Sequence, residues 1–281
     1  MLCLHYVNQK GLHPRITMAN FPGIYTAKRK DGSTYFRASA THLKKHISLG
    51  SYETEEDASR AYKEARFVLE HSAITCEQYR LFSSLSYDKF ICLINFRDHG
   101  IYFKTPIYLC HQYFEYHLSP DNILKFDRDD LFFYSSKKIQ QKGGYLFVSD
   151  YGSQYSILSR YGIHPFAVYG RDYRMINGDP FDFRYSNILI INTYTGVYKQ
   201  TGTDGVVTYL VKIHVNGDFI VGTYADEITA AIAYNKAADT LTVHGVQKEF
   251  IKNYIESMDR SAYLAAYHAI SISNTVTNYL P

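Results

Sequence analysis

The sequence predicts an α+β protein built from small antiparallel sheets, each backed by a helix. Three observations predict it. Residues 23–66 and 196–238 repeat each other's landmarks. Each repeat passes from a period of two residues to a period of three or four, the change from a half-buried strand to an amphipathic helix. The 281 residues also include 28 Tyr and 17 Phe but no Trp, a bias that suits pleated, half-buried surfaces. A chain of this length accommodates two or three small domains, and 46% hydrophobic against 20% charged residues is enough to fill their cores.

In the first copy, a run around Tyr25 leads to Asp31-Gly32, a hairpin signal. Phe36, Ala38 and Ala40 then alternate with Arg37, Ser39 and Thr41, and a third run puts Ile47 and Leu49 on the buried side. Thr54, with Asp57 three residues on, is placed to cap a helix whose apolar stripe is Ala58, Ala61, Tyr62 and Ala65. The second copy follows the same plan. Gly23-Ile24-Tyr25 aligns with Gly196-Val197-Tyr198, Asp31-Gly32 with Asp204-Gly205, and Gly50-Ser51-Tyr52 with Gly222-Thr223-Tyr224, with one residue of slippage. Tyr209, Val211, Ile213, Phe219 and Val221 should face inward. Asp226 should cap a helix carrying Ala230, Ala233, Tyr234 and Ala237.

A sheet covered on one face leaves the other free. In copy one the free face should carry Tyr25, Ala27, Arg29, Arg37, Ser39, Thr41, His46 and Ser48. Between Gly23 and Gly50 stand six basic residues, Lys28, Arg29, Lys30, Arg37, Lys44 and Lys45, against the single acid Asp31. Such a face has the charge to hold phosphates and the short polar groups to reach base edges. The free face of copy two should show Tyr198, Gln200, Leu210, Lys212, His214, Asp218 and Ile220. Its two lysines, Lys199 and Lys212, are balanced by Asp204 and Asp218, so it suits weaker DNA contact or contact with a protein. The net charge of +3 carries little by itself, because clustering matters more than the sum.

Each copy resembles the Apetala-type (ethylene-response-factor) DNA-binding domain. The resemblance rests on the opening Gly-Ile-Tyr or Gly-Val-Tyr, the alternating strand, "LGSYET" or "VGTYAD", and the Ala-Tyr helix. It implies a three-stranded antiparallel sheet with one helix, reading the major groove of double-stranded DNA with the sheet. Phe36 and Tyr209 stand where the family has a second-strand Trp. The implied DNA contacts are Tyr25, Lys28, Arg29, Arg37, Ser39, Thr41, Lys44, Lys45 and His46 in copy one, with Tyr198, Lys199, Lys212 and His214 in copy two.

Between the copies, a strand "ILKF" runs into the turn "DRDDLFFYSS". Gly143-Gly144 precedes the strand "YLFVSD", and a short helical piece covers Ser156–Tyr161. With "YGRDYRMINGDPFDFRYSNILIIN" this order is similar to HNH homing-type endonucleases. That family has Leu-His-Arg, then Asp-His-Ile-Asn-Gly-Asp, then Asp-Asn-Arg and Asn-Leu. This chain has Leu158-Ser159-Arg160, Arg174-Met175-Ile176-Asn177-Gly178-Asp179, Asp182-Phe183-Arg184 and Asn187-Ile188. The match puts Met175 where the water-activating histidine would stand and Arg174 where a metal-binding carboxylate would. Ser159 replaces the other histidine and Phe183 an asparagine, leaving Asn187 alone as a ligand. A thioether takes no proton from water and a guanidinium repels a cation. The expected module is therefore a degenerate ββα-containing HNH-like element without catalysis, metal or cofactor, in which Arg171, Arg174 and Arg184 contact phosphate.

The expected organisation is an Apetala-type module at 1–80, the HNH-like module at 81–192, a second Apetala-type module at 193–246 and a helical tail at 247–281. The tail reads as one helix or two short ones, with Phe250, Ile251, Tyr254, Ile255 and Met258 as an apolar stripe and fraying expected in the last residues. The scattered Cys3, Cys76, Cys92 and Cys110 read as reduced, mostly buried thiols of a cytoplasmic, nucleoid-associated protein. No signal peptide or membrane span is expected.

The favoured function is sequence-selective DNA binding, regulatory, in a bacterium, phage or mobile element. One rival is a divergent endonuclease using Asp172, Asp179, Asp182 or His164 with Mg²⁺, set against a plain turn at Asn177-Gly178-Asp179-Pro180. The other is a protein-interaction role through the second module or the tail.

Overall fold

A computed structural model describes residues 17–18 and 21–281. The chain is mixed α+β and divides into two compact units, Met1–Ser136 and Lys137–Pro281. The division falls inside the 81–192 stretch rather than at its ends.

In the first unit, β2 (Ile24–Lys28), β3 (Thr34–His42) and β4 (Lys45–Tyr52) form an antiparallel meander, and a short β1 (Thr17–Met18) adds an edge strand beyond the three expected. Helix α1 (Glu55–Glu70) begins where Thr54 accepts the Asp57 N–H at 3.1 Å, the expected cap. Its Ala58, Ala61 and Ala65 pack on Ile24, Ala38, Ala40, Ile47 and Leu49. This core does not stop at residue 80. Helix α2 (Tyr87–His99) contributes Phe90, Ile91, Leu93, Ile94 and Phe96 to it. All seven residues from Phe90 to Phe96 are buried, so α2 carries no polar face across its centre and serves as an interior helix. A second meander follows, β5 (Ile107–Leu109), β6 (Tyr113–Ser119) and β7 (Asn122–Asp127), closed by a 3₁₀ turn and α3 (Leu131–Ser136).

The second unit opens with a meander of β8 (Ile139–Lys142), β9 (Tyr145–Asp150) and β10 (Ser153–Ser156). Gly143-Gly144 makes the first turn with φ of 57° and 83°, as two-residue hairpins require. After a 3₁₀ turn at Ile157–Tyr161 comes the hairpin of β11 (Tyr173–Met175) and β12 (Ile188–Ile190). No helix separates β12 from β13 (Val197–Thr201), so this hairpin lacks the third element of the expected ββα unit. Strands β13, β14 (Val207–His214) and β15 (Asp218–Tyr224) then form a sheet covered by α4 (Glu227–Val243), which Asp226 caps at the Thr229 N–H, 2.8 Å away.

The repeat extends to structural detail. Each sheet has one bulge, between Ala38 and Ser39 in the first and between Val211 and Lys212 in the second. Each opens on a glycine at positive φ, Gly23 at 74° and Gly196 at 72°, whose carbonyl accepts the N–H after the bulge at 2.9 Å. A Cβ on Gly23 would meet the Tyr62 ring at 2.5 Å, and one on Gly196 would meet the Tyr234 ring at 2.4 Å. The aligned Ala-Tyr helices thus depend on the aligned glycines.

The tail holds two short helices, one of the two arrangements expected, but its first part departs from expectation. Residues 247–259 are not helical, and helix begins only at α5 (Arg260–Ala269), followed by α6 (Asn274–Thr277). The Asn253 amide satisfies both backbone groups of Thr195, at 2.8 and 3.0 Å, while the Asn235 amide brackets the Asn253 backbone at 2.7 and 2.8 Å. These bonds hold the segment out of a helix, and Tyr254 is exposed where a helical stripe would have buried it. The last residues pack rather than fray. Val276 is buried, and His244 bonds the Tyr279 carbonyl at 2.9 Å.

Candidate functional site

The open face of the first sheet follows from strand alternation and register. Tyr25 pairs with Arg37, Ser39 with Ser48, and Thr41 with His46. Five of these six residues, with Ala38, line a depression of about 200 Å³, and none of the lining groups is a carboxylate. Arg37, Thr41, His46 and Ser48 are exposed and Tyr25 is half-buried. Ser39 keeps its expected face but not the expected exposure. The bulge sinks it to the floor, 7% exposed, with its hydroxyl 3.5 Å from the Gly23 carbonyl. Ala27, also expected on this face, is buried.

The basic residues around this face do not all share it. Arg29 is forked onto Glu53 and lies 5.5 Å from the Tyr35 ring centroid. Lys45 reaches over the Tyr102 ring, at 5.5 Å, on the side of α2. Lys28 ends β2 exposed, but its parity is that of Ile24 and Thr26 rather than Tyr25. Lys44 sits in the two-residue β3–β4 turn, where Leu43 and Lys44 have φ of 45° and 64°. Arg37 is the cation centred on the face, and it makes no ion pair with a described residue.

On the second sheet, Tyr198 lies between two cations, Arg171 at 5.1 Å and Lys212 at 5.9 Å. The Lys199 N–H donates to the Asn192 side chain at 2.9 Å, and the exposed His214 pairs with Asp218 at 2.8 Å. The β11–β12 hairpin therefore leans on this face through Arg171 and Asn192.

Within the hairpin region the carboxylates are spoken for. Asp172 is fully buried. It accepts from Arg171 at 2.7 Å, the Val168 N–H at 2.8 Å and the Asn192 amide at 3.0 Å. His164 Nε2 lies 3.9 Å away. Asp182, also fully buried, accepts two bonds from Arg184, at 2.8 and 2.5 Å, and one from the Asn177 amide at 2.9 Å. Burial acts to raise both acids, but the arginine and amide bonds outweigh it and hold both below the usual carboxylate range. Asp179 makes the turn expected of it, accepting the Phe181 N–H at 3.0 Å. Among the described residues, no three His, Cys, Asp or Glu side chains converge to hold a metal ion.

The other positions matched to the HNH pattern divide between core and surface. Met175 and Phe183 are each 3% exposed in the core. The Asn187 amide bonds the Asn177 backbone, the Asn177 side chain and the Asp182 carbonyl, each at 2.9 Å. Ser159 is exposed and lines a cavity with Phe166. Arg174 is exposed on β11, whereas Arg171 and Arg184 have carboxylates to hold.

Of the cysteines, Cys92 is buried and Cys76 and Cys110 are half-buried free thiols, while Cys3 lies outside the described residues. Burial pushes the Cys76 thiol up to about 12. No described helix is long and apolar enough to cross a membrane.

Sequence reasoning missed Glu53 as the partner of Arg29. It also missed Asn192, for which no periodicity offers a signal. No family model, curated protein or solved structure matches the chain.

Proposed function

We propose that this protein binds double-stranded DNA sequence-selectively through the open face of its first sheet and does not cut it. Its regulatory role would be in transcription or a mobile element, and the β11–β12 hairpin would be the remnant of an HNH homing-type nuclease. The observation that carries this reading is Arg37, exposed on the open face of the sheet at a depression shared with Tyr25, Ser39, His46 and Ser48 and lined by no carboxylate. A guanidinium so held suits a base edge or a phosphate, and the hydroxyls and imidazole offer short-range donors and acceptors beside it. The second sheet enters as a weaker contact, because Tyr198 already carries Arg171 and Lys212, and His214 is paired. Loss of cleavage is supported by Met175 in the core and by the two arginine-held carboxylates.

The test is selection from a random duplex pool at two salt concentrations with Mg²⁺ present, followed by electrophoresis of the recovered DNA. Enriched, salt-sensitive, intact duplex is expected. Cut DNA would overturn the non-catalytic reading. Binding that is absent or indifferent to salt would favour a protein partner.

A further inference from the structure

The second unit has a cavity of about 580 Å³ that the DNA-binding reading does not use. Its size falls within the range of roughly 300–1,000 Å³ typical of small-ligand sites. Four aromatic side chains line it, Tyr145, Phe147, Tyr155 and Phe166. Phe166 is 63% exposed although large and apolar, and its φ of 62° belongs to a region that non-glycine residues seldom occupy. That backbone sets its ring edge-on to Tyr145, with centroids 5.4 Å apart and planes at 84°. The Gln154 amide, a donor and acceptor side by side, lies on the wall. Lys142 is the one cation among the lining residues, and none of them is an acid.

We propose that this cavity is a nucleotide site, which takes one unstacked nucleobase against its aromatic rings and the attached phosphate at Lys142. Aromatic faces stack on any base, an amide pairs with the edge of a planar base, and a lone cation among neutral groups selects an anionic ligand. The same chemistry is presented by a free nucleotide and by an unpaired base of a strand. The site is built from residues of the second unit alone and does not require that the first sheet binds duplex DNA.

The experiment titrates the full chain with the four deoxynucleoside monophosphates and, separately, with short single-stranded homo-oligonucleotides, followed by calorimetry and NMR shifts. Phe166→Asn removes the ring while keeping a residue that tolerates positive φ, and Lys142→Gln removes the charge. Saturable binding is expected, weakened about tenfold or more by Phe166→Asn and made less sensitive to salt by Lys142→Gln. Saturation by mononucleotides assigns free nucleotide as the source. Saturation by oligonucleotide alone assigns a base within a strand. Arg37→Ala should leave both titrations unchanged, which separates failure of this site from failure of the sheet face. Absence of binding to either probe, or binding that both cavity substitutions leave unaltered, would overturn the proposal.

Discussion

The guanidinium of Arg171 lies 5.1 Å from the ring centroid of Tyr198 while bonding the buried carboxylate of Asp172 at 2.7 Å. A residue that the sequence offers as a phosphate contact thus joins the β11–β12 hairpin to the second sheet. Removing it should cost stability. Arg171→Ala deprives Asp172 of its charged partner but leaves the Asn192 and Val168 bonds, so a loss of about 1–3 kcal/mol is expected from urea unfolding. An unchanged midpoint would mean the pair is only a surface ornament.

The same carboxylates set an acid response. Asp172 and Asp182 titrate in the folded protein below their ordinary values. The unfolded chain therefore binds protons first as pH falls. Their stabilising contribution is complete above the usual carboxylate range and is lost as pH drops through it toward the folded-state values. Unfolding midpoints measured from pH 7 to 3 should fall, and the fall should be shallower in Asp172→Asn with Asp182→Asn. Equal slopes would contradict the assignment.

Gly23→Ala and Gly196→Ala should damage their modules equally. Each Cβ would stand at about 2.5 Å from a tyrosine ring and a carbonyl, at positive φ. The cost is expected to be about 2 kcal/mol or more apiece by chemical denaturation. A marked asymmetry between the two would show that the repeats have diverged in packing.

The β3–β4 turn holds Leu43 and Lys44 in a conformation suited to Asn-Gly. Leu43→Asn with Lys44→Gly should stabilise the first unit by about 1 kcal/mol, read as a raised melting temperature. If Lys44 contacts a phosphate, the same variant should lower duplex affinity and reduce the salt slope by about one unit. Greater stability with unaltered DNA binding would remove Lys44 from the interface.

Asn253→Ala should release the 247–259 segment. It leaves the Thr195 N–H and carbonyl without their amide partners. A loss of about 1–3 kcal/mol is expected, with faster amide exchange at Thr195 and in the segment. Unchanged exchange would show that apolar contacts at Ile255 and Met258 suffice.

Sequence alone determined what depends on near neighbours. The two sheet-and-helix copies were legible because period two and period three to four are local patterns. So were their caps, since Thr54 and Asp226 act three residues away. The inward set of Ala38, Ala40, Ile47 and Leu49 followed from the same periodicity. Ser39 kept its expected face, but its burial beside the Gly23 carbonyl did not follow from periodicity. The tertiary structure alone decided which charges remain available. Arg29 pairs with Glu53, Lys45 covers Tyr102, Arg171 closes on Tyr198, and Arg37 is exposed with no ion pair to a described residue. It also decided that residues 247–259 are not helical, through amides of Asn235 and Asn253 that no helical pattern reveals. The reason is physical. Backbone periodicity is written along the chain, whereas ion pairs, ring contacts and amide networks form between groups that only folding brings within a few ångströms.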